Sequence, residues 1–334
     1  MKHKFDKLEF KDLIPNDLIL SEQRKQQIEQ EAARRLHSTK SILKWKPIML
    51  TITLIVTAVL ISLTIYKPEK NILQGTSNFP TENIVVKKNI NNTIKEKTNL
   101  QTLMLNSFDH FTTAKGSFDY YSQKGKYHLL VEYQADLSDN PWSYEKVQDL
   151  SFTPQYRDVS KENVIGYEEY KYYGENLIKI DHTKKGAPTT TSVRTNKISK
   201  TERNYLKGST IDERIVVDEN GEKNYIRRSD PAYLGVSKMS LLPEDFTMTL
   251  LENKNEWNII STGNMLGLTT IIVEGNLTRE YQNNYNAKTF RLEIAEETGV
   301  LLKLVMKDEK GKVTEAMITR DIQFDKSLNS EVLK

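Results

Sequence analysis

The sequence predicts an α+β protein in three parts: an N-terminal helical segment, one transmembrane helix, and a large domain built on an antiparallel β-sheet packed with a few helices. Three observations lead there. An uncharged apolar run fills residues 48–66; the chain before it is basic and rich in helix formers; and from residue 117 onward apolar residues recur at period two in segment after segment.

Composition sets the outer bounds. The chain has 334 residues, 28% of them charged, yet carries 16 Tyr and 10 Phe, more aromatic side chains than a solvated disordered chain holds. A net charge of +3 comes from lysines scattered among acids, so no nucleic-acid footprint is expected. With no cysteine there is no disulfide, no thiol nucleophile, no thiolate zinc site and no lipid-modified cysteine.

Residues 1–46 form the first part. Leu13, Leu18 and Leu20 punctuate a charged stretch in which Pro15 interrupts any helix. Ser21 is a plausible N-cap for the helix former SEQRKQQIEQEAARRLHSTK, with Glu31 four residues before Arg35. Ile28, Ala32 and Leu36 make one thin apolar stripe, too narrow for an autonomous core. These six apolar positions are the candidates for holding a cytoplasmic partner or lying along anionic lipid.

The second part, residues 47–66, contains IMLTITLIVTAVLISLTIY, which at helical rise spans roughly 28 Å, the thickness of a bilayer's hydrocarbon core. Its Thr and Ser hydroxyls can return to the helix backbone. Arg34, Arg35, Lys40, Lys44 and Lys46 precede it, against Lys67 and Lys70 after it, which places the N-terminus in the cytoplasm and the rest outside the plasma membrane. Trp45 and Tyr66 stand at the two headgroup levels.

Residues 67–97, rich in Asn, Lys and Thr with Pro68 and Pro80, read as a linker. Residues 98–334 form the outer domain. Thr98 opens an amphipathic helix of about fifteen residues in which Leu100, Leu103, Met104, Phe108 and Phe111 share a face and Gly116 closes the element. Strands follow: SFDYYS, KYHLLVEYQ, GYEEYKYYG, NLIKIDH, RIVVD, NYIRRS, NIIST, TTIIVEG, AKTFRLEIA, VLLKLVMKD and KVTEAMITRDIQFD. Glycine-ending turns at 218–221, 296–299 and 308–311 join neighbouring strands. A helical patch at 229–246, with Pro231 and Pro243, is expected to cover an open edge or mouth of the sheet.

No catalytic pattern is present. The five histidines never take a metal-ligand spacing, and there is no nucleophile elbow, phosphate loop or dinucleotide fingerprint. The expectation is therefore no enzyme, no metal and no cofactor. Tyr167, Tyr170, Tyr172 and Tyr173 can line a ligand surface or pack across strands.

The closing phrase EETGVLLKLVMKDEKGKVTEAMITRDIQFD, after LGLTTIIVEGNL at 266–277, resembles the LolA/RseB-type lipoprotein-carrier fold. Glu297-Thr298-Gly299, Leu302-Lys303, Asp308 to Lys312 and Asp321-Ile322-Gln323-Phe324 carry that likeness, which covers roughly residues 98–328. The resemblance implies a curved, unclosed half-barrel over helices, with an apolar cavity that takes a lipid, an acyl chain or a peptide. Leu103 and Phe108 on the helix and Leu292, Leu304 and Phe324 on the meander are the cavity candidates. The layout is similar to membrane-bound anti-sigma factors of Gram-positive bacteria, here without their zinc motif. It implies a sensor whose residues 1–46 restrain a cytoplasmic sigma factor. A membrane-tethered lipid or lipoprotein carrier and a structural envelope protein are the alternatives.

Overall fold

The computed structural model describes residues 92–157, 164–183, 186–219, 221 and 223–334, all within the compact unit Gly75–Lys334. The transmembrane run and the partner-binding positions Leu13, Leu18, Leu20, Ile28, Ala32 and Leu36 lie outside the described residues. Among the described residues no helix is long and apolar enough to cross a membrane.

The first element is helix α1 (Ile94–Leu105), which begins four residues before the expected start. Thr93 caps it through a complete capping box: its hydroxyl accepts the Glu96 N–H at 3.2 Å and the Glu96 carboxylate accepts the Thr93 N–H at 3.0 Å. The helix stops at Leu105, with Asn106 as its C-cap, and one 3-10 turn follows over Ser107–Asp109. Gly116 does not close it. That glycine sits inside a strand, where a Cβ would collide with the Asp321 carbonyl and press on the Tyr133 hydroxyl.

The strands are β1 (Thr113–Ser122), β2 (Tyr127–Asp136), β3 (Trp142–Leu150), β4 (Val164–Tyr173), β5 (Asn176–Asp181), β6 (Thr189–Arg194), the hairpin β7 (Ile215–Val217) and β8 (Lys223–Tyr225), then β9 (Trp257–Met265), β10 (Leu268–Asn276), β11 (Thr289–Ala295), β12 (Leu301–Lys307) and β13 (Val313–Phe324). Eleven of them make one antiparallel sheet in the order β6-β5-β4-β3-β2-β1-β13-β12-β11-β10-β9. Two meanders thus meet where β1 pairs with β13, and the sheet stays open, with β6 and β9 as its edges. The expected α+β architecture on an unclosed antiparallel sheet holds.

One face of the sheet carries the core. Phe118 and Tyr120 on β1, Val131 and Tyr133 on β2, Phe290, Leu292 and Ile294 on β11, and Leu302, Leu304 and Met306 on β12 are buried in a single apolar cluster. Helices α3 (Lys238–Leu241) and α4 (Glu244–Leu250) lie on that face, so the 229–246 patch covers the centre of the sheet and not an edge. The Ser240 hydroxyl donates to the Leu301 carbonyl at 2.9 Å and the Ser107 hydroxyl to the Leu241 carbonyl at 2.6 Å, tying strand, patch and α1 together. Two further helices, α2 (Lys200–Asn204) and α5 (Arg279–Tyr285), are short and bury no residue fully.

The predicted turns stand. Gly221, Gly299 and Gly311 take φ of +81°, +74° and +77°, the left-handed region that favours glycine. Gly299 has a second constraint, because any side chain there would run into the Leu103 carbonyl of α1.

A buried polar knot joins α1 to the chain around the β7–β8 hairpin. The Arg214 guanidinium is fully buried, pairs with Glu244, and donates to the Leu105 carbonyl at 3.0 Å. It thereby satisfies one of the carbonyls left open at the end of α1. Arg228 makes a two-point pair with Asp109, at 2.6 and 3.1 Å, and stacks 4.2 Å over Phe108.

Candidate functional site

The face of the sheet opposite the core holds a cavity of about 550 Å³. Its floor comes from the outward positions of adjacent strands: Lys115 and Ser117 of β1, Leu130, Glu132 and Gln134 of β2, Tyr144 of β3, and Asp321 of β13. Alternation explains the set, since β1 and β2 pair Ser117 with Glu132 and Lys115 with Gln134, placing all four on one face.

Arg320 enters by a different route. The β1–β13 register runs Ser117 to Asp321 and then Phe118 to Thr319, so Arg320 is the extra residue of a bulge. A bulge re-aims the residue it inserts, and here the guanidinium pairs with the buried Asp119 on the outward face while its residue still lines the cavity. The wall opposite is the C-terminal tail. Asp325 accepts the Thr112 and Thr113 N–H groups at 2.7 and 3.2 Å, Thr113 donates to the Lys326 carbonyl, and the Asn329 N–H donates to Gln134 at 2.9 Å. Ser327 to Asn329 are held across the strands by these bonds.

Chemically the cavity is mixed, with charges of both signs beside apolar surface. Lys115, Arg320, Glu132 and Asp321 bring charges of both signs to the lining, with Lys115 donating to the Ser327 carbonyl at 3.3 Å, Gln148 donating to Glu132 at 3.0 Å and Arg320 paired with Asp119, while Leu130, Tyr144 and Leu328 add apolar surface. Burial, helped by Glu169 and Glu132, pushes the Tyr144 hydroxyl up to about 12, so it stays protonated and able to donate. A site of this size with donors and acceptors of both signs suits a short peptide or a zwitterionic head group. Among the described residues no group of three or more metal-ligating side chains comes together.

The five cavity candidates fall elsewhere. Leu292 and Leu304 are fully buried in the core, Phe108 and Phe324 pack against it, and Leu103 is half-buried beside Gly299. Phe324 meets Phe111 with ring centroids 5.0 Å apart. None of the five lines the 550 Å³ cavity.

The tyrosine cluster splits as strand alternation requires. Tyr167 stacks on His182 at 4.2 Å, with the Lys146 ammonium 4.7 Å from its ring centre, whereas Tyr172 packs on the core face against Tyr233 at 4.6 Å, and Tyr173 is exposed. His110 is exposed at the end of the 3-10 turn, outside α1, while His128 is buried on β2, edge-on to Tyr121.

Two buried carboxylates escaped sequence reasoning. Glu145 on β3 accepts the Ser237 N–H at 2.7 Å, and burial pushes its carboxyl from the ordinary 4.5 up to about 7. It pins the start of α3 to the sheet; a side chain at Gly235 would strike it. Glu315 on β13 accepts from the Tyr120 hydroxyl, and burial raises it to about 7 as well. Glu145 stands in PWSYEKVQDL, whose inward positions are mostly polar, and Glu315 is a polar residue at an inward position of the strand KVTEAMITRDIQFD, so neither carries a local signal of burial.

No family model matches the chain, and no curated protein matches it either. Among solved structures it is similar to MucB in the MucA/MucB complex of Pseudomonas aeruginosa, at 11% identity and a TM-score of 0.37, covering 72% of this chain and 60% of that one. It is also similar to the lipoprotein LppX of Mycobacterium tuberculosis, at 7% identity and TM-score 0.34 over 71% of this chain and 99% of that one. LprF of Mycobacterium bovis gives 11% identity and TM-score 0.34 over 70% and 95%. The chain thus spans about 60% of the length of the MucB chain it aligns with. All three likenesses stand at 11% identity or less and at TM-scores below 0.4.

Proposed function

We propose that the chain is a single-pass membrane sensor, not an enzyme: its outer domain binds an envelope ligand in the cavity, and residues 1–46 restrain a cytoplasmic partner, a sigma factor by the layout it resembles. The observation that carries this reading is the joining of unlike parts by one uncharged apolar run at 48–66, with a basic, thinly amphipathic segment before it and a ligand-sized cavity in the domain after it. Its support is layout and the chemistry of the cavity. Charged side chains of both signs in its lining favour a peptide backbone or a zwitterionic head group over a bare acyl chain.

The test uses the full chain. Residues 1–46 should retain a sigma factor in co-purification, and their deletion should raise transcription from that factor's promoters; failure to retain any factor, with transcription unchanged, overturns the sensor reading. Native mass spectrometry of the purified chain reads the other arm. A bound peptide supports a sensor of peptides, and a stoichiometric lipid with no cytoplasmic partner indicates a tethered lipid or lipoprotein carrier.

A further inference from the structure

The two edges of the eleven-stranded sheet are finished differently. Along β9 the side-chain amide of Asn92 acts as a one-residue strand: its Nδ2 donates to the Ile259 carbonyl at 3.0 Å and its Oδ1 accepts the Ile259 N–H at 2.7 Å. Lys97 donates to the Trp257 carbonyl beside it and stands 5.0 Å over the Trp257 ring. That edge is occupied where it would otherwise offer backbone groups.

The β6 edge has no such cover among the described residues. The Thr195 N–H bonds to the Glu175 carbonyl at 2.8 Å, which fixes the parity of the ladder beside it. Odd-numbered residues of β6 turn their backbone groups to β5, and Thr190, Ser192 and Arg194 turn theirs outward. All six residues of the strand are exposed, Val193 by 54%. The strand carries no lysine, no proline and no bulge, the devices that blunt an edge. Threonine and valine favour extended pairing.

We propose that β6 is a homotypic docking edge, pairing antiparallel with β6 of a second copy about a two-fold axis through Ser192. Parity selects this register. Centred on Ser192, all three outward residues of each copy find partners, Thr190 facing the second copy's Arg194 and Ser192 facing its own equivalent, and the N–H groups of both copies make six bonds. Centred on Thr191, Arg194 loses its partner. Side chains agree with the choice: Thr191 lies opposite Val193, Arg194 opposite Thr190, and no like charges meet. This self-complementarity is what an isologous contact requires and favours a second copy over an unrelated extended peptide. Six residues a side is a small contact, so the pair is a weak, reversible one. The inference stands on the edge geometry and is independent of the sensor reading.

The chain has no cysteine, so single-cysteine cross-linking is clean. The full chain in mild detergent is treated with a short bis-maleimide. Ser192→Cys should yield a covalent dimer, and Ile165→Cys, 69% exposed but on β4, should not. Thr190→Pro in the Ser192→Cys background should cut the dimer about tenfold while the urea midpoint holds, because an edge N–H that faces solvent can be lost without breaking the ladder. Should that proline unfold strands β4 to β6, Thr191→Lys with Val193→Lys sets lysines opposite lysines and must give the same loss. The proposal is overturned if Ser192→Cys cross-links no better than Ile165→Cys, or if neither disrupting change lowers the yield.

Discussion

The strands from β9 to β13 and those from β4 to β6 belong to one sheet, with one hydrogen-bond logic, yet they are stabilised differently. On β11 and β12 almost every residue is buried, the inward side chains pack beneath α1, α3 and α4, and the edge is closed by Asn92. On β5 no residue is fully buried, and on β6 all are exposed. The wing is held by ladder bonds, by ring contacts such as Tyr167 on His182, and by surface pairs such as Lys179 with Glu168 at 2.6 Å, each of which contributes little in water. A sheet can therefore be continuous in its backbone while nearly all its hydrophobic stabilisation sits under one half.

Substitutions that test this contrast should follow burial. Trp257→Ala should destabilise most, by about 4 kcal/mol in urea unfolding, because it empties a fully buried ring site and frees the Leu251 carbonyl that its indole N–H holds at 2.9 Å. A loss under about 1 kcal/mol would show that the closed half is less tightly packed than its burial implies. Arg214→Met should cost about 3 kcal/mol, since Glu244 would remain buried without its partner. Adding Glu244→Leu should recover much of that loss, and a failure to recover would mean that Arg214 acts chiefly by capping α1.

The pH response comes next. Glu145 and Glu315 are raised in the folded chain from 4.5 to about 7 and return to the lower value on unfolding. Between those values the native state holds more protons than the unfolded chain, so each contributes stability at low pH that is lost as pH rises through about 7. Urea midpoints measured from about pH 5 to pH 8 should fall, and Glu145→Gln should flatten its share of the slope. The smallest effect is expected in the wing, where Val193→Ala should stay within about 0.5 kcal/mol of the parent; a loss above 1.5 kcal/mol would mean that β6 is covered in solution.

The same contrast explains what could be read from residues alone. The meander from β10 to β13 was legible because its apolar positions alternate cleanly between glycine turns, as Phe290, Leu292 and Ile294 do before Gly299. β3 was missed because, of its inward residues Ser143, Glu145, Val147 and Asp149, only Val147 is apolar, and Ser143 and Glu145 are polar groups that hold the 229–237 segment. β6 was missed because TTTSVR has two similar faces and no core to reveal a period. The start of α1 was within reach, since Thr93 and Glu96 form the spacing of a capping box, but Thr98 was a competing N-cap three residues past Lys95. The cavity was not legible, because it depends on which strands become neighbours and on a bulge that exists only in the β1–β13 register.

By itself the sequence determined the antiparallel meander and its turns, because hydrophobic period and glycine conformation are local properties of the chain. The tertiary structure alone decided the meeting of β1 with β13, the bulge that brings Arg320 to Asp119 beside the cavity, the burial of Glu145 and Glu315, and the sealing of one edge beside the openness of the other among the described residues. Each of these joins residues far apart in the chain, and such pairings are selected by the packing of the whole sheet and not by any local pattern.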